Sequence, residues 1–307
     1  MGDQQAPHVF DDDEATRQLL RSPPTQPALA WAAAAAGADI AHWTVLRGGM
    51  SSAMYSLELC DASRTTLVLR CYVRPELNEE EPDLAEREAA ALRAAATVEI
   101  PTPALVAVDP TGASVGVPAV LMTRLPGRVL WDPKDPRRWL ASLAGLLPGI
   151  HEGDIQERGL GRYFNYGQDS YEPPRWATKP AIWEKAVEVF HGPVLDEDRC
   201  FIHRDFHPGN VLWKSRRLTG VVDWQSACVG PPSVDIGHCR ANFLGSAPEL
   251  ADVFTDMAES RTGRTFHPWA DVAALIGMLD GLRSRPPRPA GRQAIEAAIE
   301  RAVLALA

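Results

Sequence analysis

Cys200-Phe-Ile-His-Arg-Asp-Phe-His-Pro-Gly-Asn-Val-Leu-Trp213 is the stretch that decides the fold. It sets a carboxylate, Asp205, five residues before an amide, Asn210, in a segment rich in turn formers. Just beyond it, Val221-Val-Asp-Trp224 places a second carboxylate, Asp223, after an apolar run. Together these supply a base, a neutral oxygen ligand and an anionic oxygen ligand. Magnesium-dependent phosphoryl transfer calls for such a set, because a hard cation takes oxygen donors while a carboxylate orients the attacking hydroxyl.

The spacing also carries geometry. Asn210-Val-Leu-Trp-Lys214 and Leu218-Thr-Gly-Val-Val-Asp-Trp224 read as two short strands around the polar turn Ser215-Arg216-Arg217. Paired positions of an antiparallel hairpin have a constant index sum. With Leu212 opposite Val221, Asn210 falls beside Asp223 at the open end, and Asp205 lies just upstream. Pro208-Gly209 supplies a tight turn that aims the loop back at the metal. The rival reading is a surface hairpin with scattered acids. Each residue alone fits it; the joint pattern His-x-Asp-x-x-x-x-Asn, strand pair, apolar-Asp does not.

These residues resemble the aminoglycoside phosphotransferase family, small-molecule kinases that share the protein-kinase fold. His203, Asp205 and Asn210 match the family's His-x-Asp-x-x-x-x-Asn motif, and Asp223 falls on its metal-binding aspartate. Gly230-Pro-Pro-Ser-Val-Asp235 resembles the family's Gly-Asp-Pro-x-x-Asp segment, with Pro231 where the middle Asp is expected, so only Asp235 carries over. The resemblance runs from Trp43 to Phe243 and is strongest between Phe201 and Asp235. It implies an α+β, protein-kinase-like bilobal fold, with an N-terminal antiparallel sheet plus helix and a mainly helical C-terminal lobe. It implies Asp205 as the base, Asn210 and Asp223 as Mg2+ ligands, Asp235 as a brace of the catalytic loop and His203 in a supporting role. It also makes Arg124-Leu-Pro-Gly127 a hinge after the fifth strand, with the backbone around Thr123 and Leu125 holding adenine.

The rest of the chain is consistent with that organisation. Residues 1–40 form an N-terminal leader, read either as one or two helices or as a partly disordered segment. Residues 41–123 alternate as strands Trp43–Leu46, Met54–Leu59, Thr66–Val73, Leu105–Val108 and Pro118–Thr123, with a strong helix over Asp83–Ala96. The hinge covers 124–128. From 129 to 307 the pattern is helical over Pro136–His151, with Pro148 kinking or ending it, and over Pro180–Phe190, Pro248–Arg261, Pro268–Leu282 and Arg292–Leu306.

A nucleotide site is expected in the sheet. Gly48-Gly-Met-Ser-Ser52 lies between two strands, where glycines let backbone N–H groups approach phosphates and Ser51 and Ser52 add hydroxyls. An ordinary hairpin turn reads the same way. Arg70 sits inside the apolar run Leu67-Val-Leu-Arg-Cys71, and a buried cation needs an anionic partner. The family usually has Lys there; Arg keeps the charge and binds phosphate bidentately. Glu88 is the expected partner on the helix, matching the family's Arg-Glu-Ala-x-x-Leu pattern, with Glu86 the competitor.

Composition sets outer bounds. The chain has 307 residues and a net charge of −9, which argues against a general nucleic-acid binder and is compatible with a cationic substrate. Its five cysteines have no zinc-ligand spacing and read as free thiols. The N-terminus lacks a signal-peptide pattern, Ala6 stands where a myristoylation site needs Ser or Thr, and the alanine-rich run Ala28–Ala41 is too short to span a membrane. A soluble, cytoplasmic protein is expected, with no membrane or nucleic-acid partner.

The leading expectation is transfer of the γ-phosphate of ATP, with Mg2+, to a small-molecule hydroxyl, an aminoglycoside-type acceptor first. A macrolide or metabolite kinase that takes GTP is the alternative, and a catalytically silent nucleotide-binding regulator is the third reading. Acids that would greet a polycation are Asp154, Glu157, Asp169, Glu172, Glu249, Asp252 and Asp256; Trp131, Trp176 and Trp183 are the cleft aromatics. The C-terminus, Arg301-Ala-Val-Leu-Ala-Leu-Ala307, lacks the acidic or aromatic residue that several aminoglycoside kinases place there.

Overall fold

The computed structural model describes residues 14–46, 51–165 and 171–307. The chain divides into two compact units. One holds the chain up to Ala96 together with Thr102–Leu125, and the other holds Thr97–Pro101 with Pro126–Ala307. Among the described residues no helix is long and apolar enough to cross a membrane.

The first unit opens with α1 (Glu14–Arg21) and α2 (Gln26–Ala36). Thr25 caps α2 by accepting a hydrogen bond from Ala28 N, and Gly37 ends it in the left-handed region at φ 67°. Strands β1 (Ile40–Leu46), β2 (Ala53–Leu59) and β3 (Thr66–Cys71) follow, then α3 (Pro75–Glu80), α4 (Leu84–Ala95), β4 (Leu105–Asp109) and β5 (Ala119–Thr123). The five strands form one antiparallel sheet in the order β1-β2-β3-β5-β4. The expected strands are present, shifted by up to three residues at their ends; α3 was not expected from the pattern.

Side chains alternate across this sheet, as a two-residue period requires. Tyr55, Leu69 and Leu121 lie in register on one face, where with Leu57, Leu67 and Ala119 they pack against Ala28 and Ala32 of α2. Arg70, in register with Met54 and Val120, points to the other face, where Glu88 of α4 meets it.

The second unit contains β6 (Arg128–Val129), α5 (Pro136–Ala144), α6 (Leu147–His151), α7 (Pro180–His191), β7 (Cys200–Ile202), β8 (Val211–Lys214), β9 (Arg217–Val221) and β10 (Cys228–Gly230). Helices α8 (Ser233–Ser246), α9 (Glu249–Thr262), α10 (Trp269–Gly277), α11 (Leu279–Ser284) and α12 (Pro289–Leu306) complete it. The strands form two small antiparallel sheets, β10-β7 and β6-β8-β9. The single helix expected over Pro136–His151 is two, and Pro148 sits in the first turn of α6, where a missing N–H costs no hydrogen bond. The helix expected over Pro268–Leu282 likewise breaks, at Met278.

Helix α8 has no counterpart among the helices read from the sequence. The reason is burial: from Ser233 to Leu244 every residue except His238 and Asn242 is buried, so no polar face marks a helical period. Gly237 lets α10 come close, since a Cβ there would lie 2.6 Å from the carbonyl oxygen of Ala270. Arg240 ties three helices together. Its Nε bonds Asp271 Oδ1 at 2.9 Å and its guanidinium reaches Asp252 at 2.7 Å and Thr255 at 2.9 Å. Glu296 of α12 plays the same part at the start of α7, accepting from Thr178 N, Lys179 N and Trp183 Nε1.

Candidate active site

The hairpin that sequence spacing predicts is present, with its register displaced by one. Val211 pairs with Val221 and Leu212 with Gly220; after a bulge, Trp213 pairs with Leu218 and Lys214 with Arg217. The turn is therefore the two residues Ser215 and Arg216, at φ 51° and 64°, and Arg217 already belongs to β9. Two successive left-handed residues make the type I′ turn, whose twist matches that of the flanking strands. Across the open end Asn210 faces Val222, whose N–H donates to the Asn210 carbonyl at 2.9 Å. Asp223 is the next residue, and it leaves the strand at φ 69°, ψ 58°. A non-glycine residue in that region is uncommon and tends to mark a functional position.

Upstream, the loop hangs on α8. Asp235 accepts from His203 N at 3.1 Å, from Arg204 N at 2.7 Å and from His151 Nε2 at 3.1 Å. His203 Nε2 donates to Val222 O at 2.9 Å, with its ring against Trp224 and Phe206, so it links the loop to the far strand of the hairpin. Arg204, at φ 67°, donates to Phe164 O and lies over the rings of Tyr163 and Phe164. Pro208–Asn210 forms one turn of 3-10 helix capped by His207, whose Nδ1 accepts from Gly209 N at 3.1 Å.

Asp205 is surrounded by donors. Asn210 Nδ2 donates to its Oδ2 and to its main-chain carbonyl, both at 2.9 Å. His238 Nε2 lies 2.8 Å from its Oδ1, and His207 Nε2 lies 3.8 Å from the same oxygen. Burial by itself would push the Asp205 carboxyl up. The hydrogen bond from His238 and its electrostatic attraction outweigh it and hold the group well below the usual carboxylate range. Burial also drives His207 down to about 4, against the pull of Asp205, so its ring is neutral at pH 7.

Asp205, His207 and His238 also have the composition of a transition-metal site. The tautomer of His207 argues otherwise. Its Nδ1 lone pair is taken by Gly209 N–H, so in the neutral ring Nε2 carries the proton and cannot ligate. The three groups are a carboxylate, its hydrogen-bond donor His238, and a second imidazole, His207, that lies too far away to bond it. Asn210 is oriented differently: with Nδ2 committed to Asp205, its Oδ1 is left as the atom able to hold a cation, and Asp223 at the hairpin end offers a carboxylate, the donor type that Mg2+ takes.

Of the three tryptophans, Trp183 is buried and bonded to Glu296, and Trp176 packs edge-on against it while donating to Leu282 O. Those two are structural. Trp131 alone of the three is open, 55% exposed, with its ring 6.0 Å from that of His207. A Cβ on Gly209 would lie 2.4 Å from His207 Cε1 and 3.0 Å from Trp131 Cζ2, so glycine is needed for the three to assemble. Among the acids, Asp252 is held by Arg240 and exposed Glu172 lies 3.6 Å from Arg283. Asp169 lies outside the described residues.

In the first unit, Arg70 and Glu88 form an ion pair of 2.9 Å whose side chains are 4% and 1% exposed, while Glu86 is exposed. Tyr72 Oη donates to the second Glu88 oxygen at 2.8 Å. Ser52 is buried, with no hydrogen-bond partner for its Oγ among the described residues. Ser51 is half-buried beside it; Gly48 and Gly49 lie outside the described residues. Thr123 exchanges hydrogen bonds with Ala104, and Leu125 is partly buried where the first unit ends. His238 is the residue of this constellation that sequence reasoning passed over. One signal was available: it stands three residues after Asp235, a spacing that shares one helix face.

Residues 42–271 match the profile of the Phosphotransferase enzyme family. Acyl-CoA dehydrogenase family member 10 of Mus musculus is 25% identical over 201 residues, 58% of this chain, and the match covers 18% of that protein. N-acetylmuramate/N-acetylglucosamine kinase of Neisseria meningitidis is 34% identical over 55 residues, 18% of this chain and 16% of that one. The chain thus spans less than a fifth of either relative. A thermostable mutant of aminoglycoside phosphotransferase APH(4)-Ia, solved in a ternary complex with ADP and hygromycin B, superposes with a TM-score of 0.58 at 16% identity, over 91% of this chain and 98% of that one. The fold is that of the kinase-like phosphotransferases. With three quarters of its length inside the family profile, the chain belongs to the Phosphotransferase enzyme family.

Proposed function

We propose that the protein transfers the γ-phosphate of ATP to a hydroxyl of a small molecule, with an aminoglycoside-type acceptor as the first reading. The observation that carries it is the setting of Asp205. Both carboxylate oxygens accept hydrogen bonds, the group stays ionised, and the Asn210 amide beside it keeps its oxygen for a cation. Asp205 orients the acceptor hydroxyl and receives its proton as the hydroxyl oxygen bonds to phosphorus and the bond from phosphorus to the β–γ bridging oxygen breaks, leaving ADP. Asn210 and Asp223 are the groups that would hold Mg2+, which when bound neutralises charge on the phosphates. Asp235 and His203 keep the loop and the hairpin end in place. In the first unit, Arg70, oriented by Glu88, contacts the phosphates, with Gly48, Gly49, Ser51 and Ser52 as the covering loop. The main chain at Thr123 and Leu125 takes the adenine. The ADP bound in the structurally similar enzyme supports a nucleotide donor.

A sugar-type metabolite is the second reading. The local likeness to N-acetylmuramate/N-acetylglucosamine kinase and the open Trp131 ring beside His207 favour it, since an exposed indole stacks on an apolar ring face. The test is magnesium-dependent transfer of labelled γ-phosphate, from ATP and from GTP, to a panel of aminoglycosides, macrolides, amino sugars and amino alcohols. A labelled product from the wild type, absent with Asp205→Asn, is expected. Tight nucleotide binding with no product from any acceptor of the panel would replace this reading with a metabolite outside the panel or with the silent regulator.

A further inference from the structure

We infer that His238 is a positioning residue for phosphoryl transfer: its Nε2–H holds one oxygen of the Asp205 carboxylate while Asn210 holds the other. This rests on Asp205 acting as the base. A carboxylate on a short side chain can turn about its terminal torsion, and that torsion is broad and shallow. In this protein Asn210 Nδ2 fixes Oδ2 at 2.9 Å and His238 Nε2 fixes Oδ1 at 2.8 Å, so the plane of the carboxylate is set from both sides. Each oxygen keeps a lone pair for an incoming hydroxyl. An ionised carboxylate only accepts, so the proton between the two groups sits on the His238 nitrogen.

The origin of that contact lies in α8. Asp235 takes the main-chain N–H groups of His203 and Arg204, and His238, one turn further along the same helix face, takes the side chain of the next residue, Asp205. One helix therefore fixes three consecutive loop residues, two through the backbone and one through the reacting group. His238 interrupts an otherwise buried run from Pro231 to Ala241, which places its ring where the carboxylate meets solvent. His207 cannot take over the task, because its Nε2 is 3.8 Å from the same oxygen, beyond hydrogen-bond range.

The experiment compares wild type, His238→Ala and His238→Gln. Transfer is measured with an acceptor from the panel above, or with water by phosphate release from Mg-ATP if no panel compound reacts, and thermal unfolding is recorded alongside. A misplaced reacting group costs about 100-fold. His238→Ala is expected to lower kcat by about 10- to 100-fold while KM for ATP and the unfolding midpoint stay near wild type. Gln can present an N–H close to the Nε2 position, so His238→Gln is expected to recover most of the loss. Full kcat in His238→Ala overturns the inference with Asp205 still the base. Equal losses in both variants together with a lowered midpoint overturn it in favour of a purely structural histidine. A wild type that transfers to no acceptor, water included, removes the kinase reading and this role with it.

Discussion

At the residue scale the chemistry rests on a few side chains whose partners are fixed. Asp205→Asn removes the carboxylate proposed as the base. Positioned general bases contribute about 10²- to 10⁴-fold, so kcat should fall by that order while nucleotide affinity, read by calorimetry, is kept. Glu88→Ala leaves Arg70 buried without its carboxylate, and Tyr72 loses the same acceptor. Breaking a buried pair from one side costs about 3–5 kcal/mol, which urea denaturation would register as a lower midpoint. Loss of less than about 1 kcal/mol, the range of exposed pairs, would mean that Arg70 relaxes to water. Asp205, Asn210 and Asp223 could be read from their spacing around one loop and hairpin, whereas His203 and Asp235 were carried by the family resemblance. The choice of Glu88 over Glu86 needed the family pattern before the structure placed it on Arg70. His238 was not read because its one sequence signal, the three-residue spacing from Asp235, shows only once a helix is recognised there.

Elements show where local signals gave out. The hairpin over Val211–Val221 was readable from its apolar strands, yet its register shifted by one because the turn is two residues long, a length set by left-handed Ser215 and Arg216. Neither residue prefers that region. Replacing Ser215-Arg216 by Asn-Gly, the pair that favours a type I′ turn, should raise stability by about 0.5–2 kcal/mol, checked by thermal unfolding. Helix α8 was missed for the opposite reason, since a helix buried on nearly all sides has no alternation of polar and apolar faces. Its Gly237 is a packing residue. Gly237→Ala would favour the isolated helix by about 1 kcal/mol yet is expected to destabilise the protein by about 1–3 kcal/mol, because the new methyl meets the Ala270 carbonyl. A neutral or stabilising result would show that α10 can move aside.

Taken whole, the protein has five cysteines, and four of them, Cys71, Cys200, Cys228 and Cys239, are buried while Cys60 is exposed. Burial pushes the Cys71 and Cys200 thiols up to about 12 and that of Cys239 well above its ordinary value. The thiolate is the reactive form, so a disulfide reagent at pH 8 should label one thiol in the folded protein and five after denaturation, and Cys60→Ser should abolish the fast reaction. Rapid labelling of a second thiol would reveal opening of one unit. The same division between local and distant causes runs through the entire chain. By itself the sequence determined the α+β class, the strands and α4 of the first unit, the hairpin and the order of the motif residues, because periodicity, turn chemistry and short spacings act over a few neighbouring residues. Only the tertiary structure decided the hairpin register, the existence of α8, the link from Tyr72 to Glu88 and the placing of His238 on Asp205. Those depend on burial and on contacts between residues far apart in the chain, where the energy of a close-packed interior outweighs local preference.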